Sequence, residues 1–252
     1  MRVSILLALI ALAVGSPIWG AEAAIPLKSG TGEQTLAASS AEKKFTFVLF
    51  YKEDNAARQQ FATTLSESLK EKEQATWTEV KVTNPEEKAI VDKFKLSRTP
   101  MPLVLAIAPN GAITGVFPKT LTADLITASI VSPTKTRVMK TIQDNKLALV
   151  YVNGDAKNLP KGIKDFAADP HYTTRHVVHM LHSEDPAEVS FLKDLGVSAT
   201  SLTPTVCLLA SPGVVVGKWP ATVTGSQMST ALHAAGKCCD DPNCKHNHTT
   251  TK

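Results

Sequence analysis

Phe45-Thr-Phe-Val-Leu-Phe-Tyr51 is an aromatic and branched apolar run of strand length, and it predicts a buried central strand. The period then changes. Phe61, Leu65 and Leu69 recur at every fourth residue and lie on one face of a helix over 55–73. Lys70-Glu-Lys-Glu73 reads as the solvated end of that helix, and Trp77 to Val82 alternates as a half-buried strand does. Asn84-Pro85-Glu86-Glu87 is a helix start: Asn caps, Pro suits the first turn, and an acid three residues after the cap completes a capping box. The apolar face that follows is Ile90, Val91 and Phe94. Leu103 to Ile107 then predicts a buried strand, Asn110-Gly111 a turn, and Ile113 to Phe117 the returning strand. Thr122 offers a cap for a helix carrying Leu125, Ile126 and Ile130.

The stretch from Pro102 to Thr122 returns 102 residues later as Pro204 to Thr224. Pro102/Pro204, Val104/Val206, Gly111/Gly213, Gly115/Gly217, Pro118/Pro220 and Thr122/Thr224 are identical without a gap, and Phe117/Trp219 keep their character. Asp185-Pro186-Ala187-Glu188 repeats the upstream helix start, ahead of Val189, Leu192 and Leu195. Leu147 to Val152 supplies the matching first strand. One fold is therefore used twice. Ser132-Pro-Thr-Lys-Thr136 reads as the seam, with a short helix over 137–144 after it. Each half reads strand, helix, strand, helix, hairpin, helix. A strand–helix–strand crossover joined to an antiparallel hairpin implies a mixed sheet with helices on both faces.

At 252 residues, 43% hydrophobic and 20% charged, the chain can bury two cores of about 100–110 residues each. The net charge of +4 is small and dispersed, and three Trp and three Tyr give few stacking platforms, so no nucleic-acid partner is expected. Arg2, the apolar run Val3 to Val14 and Ala21-Glu-Ala23 have the layout of a cleaved signal peptide. The apolar run is shorter than the roughly 20 residues of a bilayer span. The expected division is 1–23 signal peptide, 24–131 first domain, 137–236 second domain and 237–252 tail, with residues 24–43 read as a leader that holds a short helix. An exported location follows, periplasmic or extracellular, with no membrane span after cleavage.

The element order resembles the thioredoxin fold, on the Phe45–Tyr51 strand, the helix after it, and a proline opening the hairpin strand at Pro102 and Pro204. The resemblance implies an α/β chain of two tandem thioredoxin-like domains, each a mixed β-sheet flanked by helices. It also implies that these prolines are cis, in a loop that binds extended peptide beside a Cys-x-x-Cys. Here the sequence departs. Asn55-Ala-Ala-Arg58 stands where the cysteine pair belongs, and 153–160 is equally free of cysteine. Thiol–disulfide exchange needs a thiolate at a helix N-terminus.

Other chemistry concentrates in the tail, Cys238-Cys239-Asp-Asp-Pro-Asn-Cys244-Lys-His246-Asn-His248. Three thiols and two imidazoles suit Cu(I) or Zn(II). A Cys239–Cys244 or Cys238–Cys244 disulfide accounts for the same spacing. Cys207 falls in a buried strand and reads as a core residue. His171, His176, His179 and His182 cluster; on a strand over 175–182, His176 and His182 share a face opposite His179, and all read as surface or edge residues. The sequence contains no Gly-rich phosphate loop and no His-Glu-x-x-His, and no nucleophile–base pair can be placed. The expectation is an exported, redox-inactive thioredoxin-like protein that binds protein or peptide and is not an enzyme. The alternatives are a metal-binding protein that uses the tail, and a thiol–disulfide oxidoreductase that uses the tail cysteines.

Overall fold

The computed structural model describes residues 31–237. The first unit runs α1 (Thr31–Ala41), β1 (Phe45–Tyr51), α2 (Ala56–Leu69), β2 (Ala75–Lys81), a 3₁₀ turn (Pro85–Glu87), α3 (Lys88–Lys93), β3 (Leu103–Ile107), β4 (Ile113–Phe117) and α4 (Ala123–Ser129). The second repeats it: α5 (Pro133–Gln143), β5 (Leu147–Val152), α6 (Lys161–Ala168), β6 (His176–Leu181), a 3₁₀ turn (Pro186–Glu188), α7 (Val189–Asp194), β7 (Thr205–Ala210), β8 (Val214–Pro220) and α8 (Gly225–Ala234). Each unit holds a four-stranded sheet, ordered β2-β1-β3-β4 and β6-β5-β7-β8. The central strand pairs parallel to its crossover neighbour and antiparallel to the hairpin, in both units.

Both faces of the central strands are covered, which is why their sequences are continuously apolar. Phe47 and Leu49 of β1 pack with Phe61 and Leu65 of α2 and Ile126 of α4, whereas Val48 and Phe50 pack with Ile90 and Val91 of α3. In the second unit Leu149 and Tyr151 meet Ile163 and Phe166 of α6, and Val150 and Val152 meet Val138 of α5 and Leu192 of α7. The repeated glycines in the return strands also have a physical reason. A Cβ on Gly115 would lie 2.6 Å from the Phe117 ring, and one on Gly217 would lie 2.0 Å from the Trp219 ring. The aromatic ring two residues on lies across the bare backbone, so glycine and aromatic recur together.

The structure extends two of the sequence readings and corrects a third. The leader contains a full helix, α1, which packs on β1 and β2 as the leading element of its unit. Helix α5 begins at Pro133, ahead of the expected 137, and the Ser132 hydroxyl caps Lys135 N at 3.2 Å. That helix serves both units: Val138 and Ile142 enter the second core while Met139 packs against the first. Glu87 and Glu188 do not complete capping boxes on their own helices. Both are buried and reach through space to the leading helix of their unit. Glu87 accepts from Thr31 Oγ1 at 2.6 Å and from Gly32 N at 3.2 Å; Glu188 accepts from Ser132 Oγ at 2.5 Å and from Thr134 N at 2.9 Å. A carboxylate at a helix N-terminus meets orphan N–H groups and the positive end of the macrodipole, which makes its burial tolerable.

Candidate functional site

At the C-terminal end of β1 the chain turns through Lys52–Asp54 into α2. Asn55 caps that helix by accepting from Arg58 N at 3.0 Å. The pairing of Phe50 with Leu103 sets the β1 end beside the start of β3, and the Met101–Pro102 peptide there is cis. Tyr51, Lys52, Glu53, Asn55, Met101 and Pro102 enclose a cleft of about 190 Å³.

Arg58 stands where the second cysteine of the expected pair would be, and it is engaged on three sides. Its Nη2 bonds the Glu79 carboxylate on β2, its Nη1 lies 3.5 Å from Asp54, and its guanidinium sits 5.2 Å from the Tyr51 ring centroid. The Glu79 hydrogen bond raises the Arg58 pKa, with desolvation opposing it. The helix N-terminus thus carries an amide cap and a paired cation. Neither is a nucleophile. The cleft offers hydrogen-bonding groups around a proline, an arrangement that can hold a chain.

The second unit differs at the same place. Asn153, at a φ of 54°, ties two loops together: its Nδ2 donates to Ser201 O at 2.6 Å and its Oδ1 accepts from Ser183 N at 2.8 Å. Among the described residues the cis peptides are Met101–Pro102 and Ser211–Pro212, so Thr203–Pro204 is trans. The expectation of a cis bond at Pro204 is corrected. Trans is the default for any X–Pro bond, and the Pro204 carbonyl is committed inside the hairpin, where it accepts from Ala221 N at 3.2 Å.

The histidines do not converge. His176 Nδ1 lies 2.8 Å from Tyr172 O, His182 is exposed, and His179 is buried with Nε2 2.9 Å from Thr141 Oγ1 on α5. The surface reading of His179 is therefore overturned, because α5 lies over β6. Burial first, and the Arg137 charge second, pull its pKa down to about 4. Cys207 is fully buried in β7, and burial pushes its thiol up to about 11, so it is not a nucleophile at neutral pH. No group of three metal-ligating side chains occurs among the described residues. Cys238, Cys239, Cys244, His246 and His248 lie outside them. No helix among the described residues is long and apolar enough to cross a membrane.

The Arg58–Glu79–Tyr51 assembly and the buried Glu87 and Glu188 are what sequence reasoning missed. The glutamates left a signal, since each follows Pro-x at the same place in both halves.

No protein-family model matches the chain, and no curated protein does. Solved structures similar to it include the first two thioredoxin domains of Saccharomyces cerevisiae Eps1p, at 13% identity and a TM-score of 0.32, covering 81% of this chain and 96% of that one. The NTD_N/C domain of alkylhydroperoxide reductase AhpF from Enterococcus faecalis is similar at 15% identity and a TM-score of 0.30, covering 80% and 97%. Thioredoxin O2 from Arabidopsis thaliana in its oxidized state is similar at 12% identity and a TM-score of 0.33, covering 40% and 86%. Strand order, pairing sense and helix placement make residues 31–237 two tandem thioredoxin-like domains.

Proposed function

We propose that this chain is an exported, redox-inactive module that binds protein or peptide, with the Pro102 cleft of the first domain as its binding surface. The observation that carries the reading is the use of Asn55 and Arg58. At the helix N-terminus facing the cis-proline, one is spent as a cap and the other in an ion pair with Glu79. A thiol pair is replaced there by groups that stabilise the fold, while the proline loop is kept.

Two measurements test this. The full chain is expected to show no insulin reduction. Activity that disappears in C238S/C239S/C244S would transfer the function to the tail thiols, and activity that survives those changes would end the redox-inactive reading. Titration with unfolded, reduced insulin B chain is expected to slow hydrogen exchange at the amides of residues 52–55 and 101. Binding without protection there would remove the cleft from the proposal.

A further inference from the structure

The hairpin turns of both domains lie at the opposite end of the sheets from Pro102, since Thr46 at the start of β1 pairs with Ile107 at the end of β3. Two clefts meet at that pole. The first, of about 460 Å³, lies between the domains and has an apolar floor of Phe94, Ile113, Ile142 and Pro212, with Lys93 and Lys95 at its edge. The second, of about 210 Å³, shares Asn145, Ser211 and Pro212 with the first and adds Lys146, Arg175 and Lys237. The two form one tract with five cations along it.

No Asp or Glu is found among the described residues lining either cleft. Of the carboxylates beside Lys93 and Lys146 in sequence, Asp92 pairs with Lys88 and Asp144 pairs with Lys140. Lys93, Lys95 and Lys146 are exposed. A one-sign field in a concave, partly apolar site attracts a ligand of opposite charge that also has apolar groups to bury.

We propose that this tract binds an acidic segment of a partner protein in which carboxylates alternate with apolar side chains. The charge complement requires the acids, and the Phe94–Ile113–Ile142 floor requires the apolar residues. Nucleic acid fits less well, because Phe94 is the one aromatic residue of the lining and bases bind by stacking. A membrane surface fits less well because the site is concave. This surface is separate from the Pro102 cleft and does not depend on it.

The test is fluorescence anisotropy of a fluorescein-labelled peptide of alternating glutamate and leucine, titrated with the full chain in about 0.15 M salt. The wild type is expected to bind, and K93E/K95E/K146E to bind at least about tenfold more weakly with an unchanged thermal melt. Pro102→Ala is expected to change the affinity by less than about twofold, so the two surfaces are read separately. Equal binding by the charge-reversed chain overturns the proposal. So does equally tight, lysine-dependent binding of leucine-free polyglutamate, single-stranded DNA or phosphatidylserine vesicles, since the tract would then recognise charge alone. Binding seen only with D240N/D241N also overturns it, because the chain's own acidic tail would then be the occupant.

Discussion

The side-chain amide of Gln143 makes both hydrogen bonds of a strand partner to the backbone of Ile113: its Oε1 accepts from Ile113 N at 2.9 Å, and its Nε2 donates to Ile113 O at 2.7 Å. Gln143 ends α5, and Ile113 begins the edge strand β4 of the other domain. A lone residue thus closes the first rung of an open sheet edge. Gln143→Leu is expected to lower stability by about 1–2 kcal/mol in urea unfolding and to speed exchange at the Ile113 amide. An unchanged Ile113 exchange rate would show that the edge is held by other contacts.

The two buried glutamates predict a matched pair of effects. Glu87→Ala and Glu188→Ala each remove a carboxylate from the N-terminus of a leading helix and leave buried N–H groups without an acceptor. Each is expected to destabilise by about 2–4 kcal/mol, and the Gln variants by about half as much, since an amide oxygen still accepts. The sites are in different domains, so the double variant should be additive within about 0.5 kcal/mol in chemical denaturation.

His179 predicts an acid-side loss of stability. Its folded pKa lies at about 4, below the ordinary 6.5. Above pH 6.5 the imidazole is neutral folded and unfolded, and it adds no pH dependence. As pH falls from 6.5 toward 4, the unfolded chain takes up the proton first and stability declines, by up to about 3 kcal/mol. Below 4 both states are protonated and the slope from this group ends. Urea midpoints measured across that window should fall for the wild type relative to His179→Gln, which keeps a polar group facing Thr141.

The helix N-terminus at Asn55 predicts a gain of function. N55C/R58C would place a thiol pair against Pro102, where the helix end favours a thiolate. The thiol at position 55 should be alkylated with a pKa below the ordinary 8.5 or so, and insulin reduction should appear. Loss of the Arg58–Glu79 pair, with both side chains about three-quarters shielded, is expected to lower stability by about 1 kcal/mol. A folded double variant with an ordinary thiol would mean that the site has lost more than its cysteines.

The strands were legible because they are short apolar runs bounded by turns: the observed bounds Phe45–Tyr51, Leu103–Ile107, Ile113–Phe117 and Leu147–Val152 coincide with the sequence reading. The leading helices were legible only in part. Residues 31–41 bury little more than Gly32 and Ser39, so they show no apolar stripe, and the polar start of α5 imitates a linker. Glu87 was misread because sequence spacing shows only local capping partners, whereas its partner, Thr31, lies 56 residues away. At the candidate site the missing cysteines were plain. Arg58 with Glu79 was not, because the acid comes from the strand beyond the crossover. Pro102 and Pro204 are the same residue in the same repeat with different peptide isomers, a difference that spacing does not record.

Helix α5 follows α4 after a short connection. Most tandem modules are joined like beads on a string, and a partner that grips both must first suppress the swing of the tether. Here the closing helix of one bead is followed after Ile130-Val131-Ser132 by the opening helix of the next, and Met139 and Gln143 of that helix hold the first domain. The short connection and these contacts limit how far the two domains can swing apart. Any partner that contacted both domains would lose less linker entropy on its second contact than it would across a long flexible tether.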